Sequence, residues 1–96
     1  MDVNTMLTAL KVDLGITTPA YNDRLTQYLA MAKASIEREG ITLSGSIEDG
    51  NLQVMYAAWM WRKRDTGEGM PRMLRYQLNN RLFSEKLGHE SPEESE

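Results

Sequence analysis

Between Val3 and Leu14 the apolar residues Val3, Leu7, Leu10 and Leu14 recur every three or four positions, which at about 100° per residue sets them on one side of a helix. Asn4 or Thr5 offers an N-cap, and Gly15 followed by apolar Ile16 offers a C-terminal stop. This predicts a helix over 3–14 with one buried face. Thr18 and Pro19 next supply a cap and a first-turn proline. From there Tyr21, Leu25, Tyr28, Leu29, Ala32 and Ile36 fall within about 100° of arc, while Arg24, Gln27, Lys33, Glu37 and Arg38 make the other face polar. Stripe, cap and a stop at Gly40 agree on a second, longer helix over 19–39.

Residues 41–50, "ITLSGSIEDG", alternate apolar and small polar side chains and read as a connector with room for a short extended segment. Ser46 or Asp49 can cap a third helix over about 50–64, and Pro71 can open a fourth over 71–87, ahead of Gly88. The expected fold is all-α, a small bundle of four helices in one domain over 1–87. The last residues, "GHESPEESE", carry glutamates, a proline and no apolar anchor, which predicts a disordered acidic tail over 88–96.

The third and fourth helices have more apolar surface than one face can hold. In the third, Leu52, Met55, Tyr56 and Trp59 lie together, and Val54, Ala58 and Trp61 come out on roughly the opposite side. In the fourth, Leu74, Leu78 and Leu82 form one stripe, and Met73, Tyr76, Phe83 and Leu87 another. Such a helix is either enclosed by its own domain or packs on its core with one face and on a partner with the other. The second reading assigns Trp59 to the core and turns Val54, Ala58 and Trp61, or Met73, Tyr76 and Phe83, toward a neighbouring subunit.

Composition narrows the picture. A chain of 96 residues buries only about 60 to 65% of the surface it exposes when unfolded, so its stability is modest. With no cysteine, neither disulfides nor thiolate metal sites can add to it, and the absence fits an intracellular setting; oligomerisation can contribute. A net charge of -3 gives no overall pull toward nucleic acid or an anionic membrane. The start, "MDVNTM", lacks the basic and apolar runs of a secretory signal, and the longest apolar stretch, Leu52 to Trp61, is too short for a bilayer span.

One segment is locally basic. Arg62, Lys63 and Arg64, with Arg72, Arg75 and Arg81, outnumber Asp65 and Glu68, and they carry the alternative reading of a small DNA-binding regulator using the stretch 62–81. On a helical wheel these cations fan apart instead of lining one side, as solvated charges or contacts to a neighbour's acids would. The loop "DTGEGM" is longer than the turn of a helix-turn-helix, and no strand precedes its glycines to make a phosphate loop. Catalysis has little to draw on: the only histidine, His89, lies in the expected tail, and Asp13, Asp23, Glu37 and Glu39 form no forced pair. No enzyme, cofactor or metal is expected.

The segment "LKVDLGITTPAYNDRLTQYLAMAKASIE", a short helix ending in Leu-Gly-Ile, a polar linker and an alanine-spaced second helix, resembles the head-tail connector proteins of long-tailed bacteriophages. "MYAAWMWRKR" and "MPRMLRYQL", an aromatic third helix and a proline-started fourth, are similar to that family too. The resemblance spans about residues 3–87 and implies an all-α adaptor that forms a ring, typically dodecameric, beneath the portal protein of the phage head. Such a ring extends the DNA channel, lets DNA pass without reading its sequence, and receives the next head-completion or tail protein. The implied location is the neck of the virion, after assembly in the bacterial cytoplasm. No catalytic or cofactor residue carries over, and the acidic tail and basic stretch depart from the family's general pattern.

Overall fold

The computed structural model describes residues 1–94, with side chains described through residue 87. It is an all-α bundle of four helices: α1 Val3–Leu14, α2 Asn22–Arg38, α3 Ile47–Thr66 and α4 Arg72–Glu94, with a single 3-10 turn, Pro19–Tyr21, ahead of α2. The disordered tail expected over 88–96, with His89, falls outside the fully described residues.

Local chemistry sets most boundaries. Asp2, not Asn4 or Thr5, caps α1, its Oδ1 accepting from the Thr5 N–H at 2.8 Å. At the other end Gly15 takes φ 71°, and the N–H groups of Gly15 and Ile16 return to the Lys11 and Val12 carbonyls, a turn that favours a residue without Cβ. Thr18 and Pro19 act as expected, but they open the 3-10 turn, and α2 begins only at Asn22. Tyr21 therefore sits outside the α2 stripe and is 48% exposed. Ser46 caps α3 by accepting from the Asp49 N–H at 3.1 Å, which starts the helix three residues before the sequence suggests. The connector forms no strand among the described residues; Ile41, 1% exposed, anchors it to the core.

α3 is the axle of the bundle. Leu52, Val54, Tyr56, Ala57 and Ala58 are buried, and so is Gln53, whose amide donates to the Leu29 carbonyl at 2.9 Å. Successive residues point about 100° apart, so these buried residues cover most of the helix's circumference, with exposed Glu48 and Asn51 and half-buried Met55 marking an open edge. α1 runs beside it in the same direction, with Met1 on Gly50 at one end and Arg62 reaching the Asp13 carbonyl at the other. A Cβ at Gly50 would come within 2.6 Å of Met1, which accounts for glycine in the first turns of the central helix. α2 lies antiparallel to α3 and buries Leu25, Tyr28, Leu29, Ala32 and Ile36, five of the six residues of its expected stripe. α1 buries Met6 and Leu10 and leaves Val3 49% exposed, so its inner face is rotated from the expected one.

Candidate interaction surface

Leu74 and Leu78 of α4 are 1% and 0% exposed, and Leu82 packs against the core beside them. Met73, Tyr76, Phe83 and Leu87, on the opposite side, are 61, 63, 63 and 46% exposed. Both stripes expected of the fourth helix exist, and only the inner one is covered. The outer one is the largest run of exposed apolar side chains on a single element among the described residues.

The matching expectation for the third helix is corrected. Val54 and Ala58 are 2% and 3% exposed, packed among the helices of their own chain at the floor of grooves beside α3, and so present no outward apolar stripe. Trp61 is half-buried, with part of its ring engaged inside the domain and part lining an open groove. Tyr21 and Tyr28 meet it edge-on at 5.8 and 5.3 Å between ring centres, and the Arg64 guanidinium lies 3.9 Å above it. Trp59 is likewise only half-buried. It packs edge-on with Tyr56 at 5.4 Å, carries Lys63 over its face at 4.3 Å, and donates from Nε1 to the Glu68 carbonyl at 3.3 Å. The two tryptophans thus do similar work: each ends α3 by stacking a cation and holding a neighbouring segment in place.

The loop after α3 is correspondingly built. Gly67 closes the helix at φ 67° with its N–H on the Lys63 carbonyl at 2.7 Å, and the Thr66 hydroxyl donates to Glu68 Oε1 at 3.1 Å.

Most cations of the basic stretch are engaged within the fold. Arg62 reaches the Asp13 carbonyl at 3.4 Å, and Arg64 pairs with Asp65 at 3.3 Å. Arg75 grips Glu39 with two nitrogens at 3.1 and 3.2 Å, tying α4 to the end of α2. Arg81 does more. Its Nε and Nη2 donate to the two oxygens of Asp49 at 2.8 and 3.1 Å, Nη2 also to the Thr42 carbonyl at 2.8 Å, and Nη1 to Glu85 at 3.0 Å. Asp49 is 4% exposed and accepts in addition from the Ser44 N–H at 2.7 Å and the Ser44 hydroxyl at 3.0 Å. Hydrogen bonds from Arg81 are the main reason its carboxyl is held below the ordinary aspartate range, against the opposing effect of burial. The same contact with Asp49 holds the Arg81 guanidinium's affinity for its proton above the usual. Glu85, accepting first from the Thr42 N–H and then from Arg81, is lowered as well.

This lock joins α4 to the start of α3 and to the connector. It was not readable from the sequence, where Asp49 stands as a second choice of cap and Arg81 as one cation among six. The spacing Ser46-x-x-Asp49 signals only that a carboxylate stands in the first turn of a helix; its partner lies 32 residues away.

Between α3 and the helices beside it run open grooves, one lined by Ala9, Asp13, Glu48, Asn51, Met55 and Gln77. No cluster of three metal-ligating side chains occurs among the described residues. No helix among those residues is long and apolar enough to cross a membrane. Compared with known proteins, the chain matches no family model, no curated protein and no solved structure.

Proposed function

We propose that this protein is a structural assembly subunit, a head-tail connector of a long-tailed bacteriophage that oligomerises into a ring on the portal vertex, extends the DNA channel and joins head to tail. One observation carries the reading. A domain whose core is complete leaves a whole apolar stripe of its last helix, Met73, Tyr76 and Phe83, without cover. Each of those side chains is worth on the order of 2 kcal/mol when buried, so a small domain that leaves them in water has them placed for contact with another chain. The rival reading, a DNA-binding regulator, relies on Arg62 to Arg81, and Arg75 and Arg81 would have to give up Glu39 and Asp49 to reach phosphates.

Electron microscopy of the purified protein, alone and with portal protein, tests the proposal. Closed rings are expected from head-to-tail contacts, and the resemblance to the connector family implies about twelve copies in each. Particles that never exceed a few copies, joined to DNA affinity that collapses steeply with added salt, would favour the regulator instead.

A further inference from the structure

The exposed positions of α4 are spaced in a particular way. Met73, Tyr76, Asn80, Phe83 and Leu87 follow at intervals of three, four, three and four residues, and all five are exposed. That alternation is the seam of a two-helix coiled coil, with Met73, Asn80 and Leu87 at one kind of position and Tyr76 and Phe83 at the other. The buried leucines lie on the opposite side of the helix, so a second helix can occupy the seam without meeting the core that α4 already covers.

Asn80 identifies the occupant. It stands at the centre of the seam, where an apolar partner would leave its amide unsatisfied, whereas a second asparagine supplies both a donor and an acceptor. We propose that α4 pairs in parallel with α4 of a second copy of this chain, Asn80 against Asn80; this rests on the reading that the stripe is covered by another copy. Charge selects the direction. In the parallel arrangement Arg72 comes beside the partner's Gln77 and Asn79 beside the partner's Ser84, while an antiparallel pair centred on Asn80 sets Arg72 beside Lys86 of the other helix, two like charges at one edge. The apolar side chains of the seam present roughly 500 Å² on each chain, so the pair covers on the order of 1,000 Å², at the lower edge of specific interfaces. A dimer that dissociates on dilution is the consequence. The pair is two-fold, closes at two copies and occupies the outer stripe itself, so a ring would be built from such pairs through head-to-tail contacts elsewhere on the chain.

Because the chain has no cysteine, single substitutions report register directly. Met73→Cys and Leu87→Cys, each alone in the full chain under mild oxidation, are expected to give disulfide-linked dimers that reductant reverses, and untreated protein should sediment as a dimer at high micromolar concentration. Cross-linking only when the two variants are mixed would overturn the parallel register. A monomer at that concentration, with neither variant linking to itself, would overturn the pairing. Rings seen without self-linking at Met73 would leave the connector reading standing while removing this one; a self-linked dimer that forms no rings even with portal protein would do the reverse.

Discussion

α3 and α4 read alike in the sequence and end up in opposite situations. Each carries two apolar stripes, yet α3 has both covered by its own chain and α4 only one. The difference is position. α3 runs between the other helices, so most directions around its middle meet a neighbour and only the edge of Glu48, Asn51 and Met55 stays open; α4 lies on the outside, held by Leu74, Leu78 and the Arg81–Asp49 lock. Periodicity tells how many faces of a helix are apolar, and only topology tells who covers them.

Charge placed on the two helices tests the contrast hardest. Val54→Asp buries an unpaired carboxylate in a site 2% exposed and is expected to cost more than about 4 kcal/mol, enough to unfold a domain this small. Phe83→Asp, on the outer stripe, should change monomer stability by no more than about 0.5 kcal/mol. Urea denaturation monitored by circular dichroism reads both. If the two variants lost equal stability, the distinction between enclosed and outward faces would fail.

Within α4 the same contrast recurs at smaller scale. Leu78→Ala should cost about 3 kcal/mol through the cavity it leaves, and Tyr76→Ala little in the monomer. The lock adds its own contribution. Removing the carboxylate in Asp49→Ala strands Arg81 and is expected to cost about 3 kcal/mol, while Arg75→Ala, which breaks a more exposed pair with Glu39, should cost less than about 1 kcal/mol.

The lock also has a pH signature. Because the folded state lowers the Asp49 pKa, the unfolded chain takes up its proton first as pH falls. The contribution is therefore full above the ordinary aspartate value of 3.8 and is lost as pH falls through the lower folded value. In an acid titration, Asp49→Asn should flatten the part of the stability profile that the wild-type chain shows there; an unchanged slope would remove Asp49 as its source.

Much of the backbone was legible because local signals carry it. The α2 stripe, the Thr18-Pro19 start, the Gly15 stop and the Ser46 cap all act within a few residues of themselves. What the sequence leaves open depends on contacts across the chain. Trp61 is half-buried because Tyr21 of the 3-10 turn and Tyr28 of α2 stand beside it, and Asp49 becomes a hub because α4 brings Arg81 back to it. The candidate surface was half legible for the same reason. The Met73, Tyr76 and Phe83 stripe stays outward, while Val54 and Ala58, which periodicity ranked equally, are buried in their own domain and Trp61 stays half-buried beside Tyr28.

The proposed contact between chains through the outer stripe of α4 is separable from the fold of one chain. Sedimentation of the doubly substituted Tyr76→Glu, Phe83→Glu protein beside the wild type, with thermal melting of both, tests it directly. The wild type is expected to sediment as more than one copy at high concentration, and the variant to be a monomer whose dilute-solution melting matches wild type. A wild type that stays monomeric, or a variant that unfolds, would contradict it.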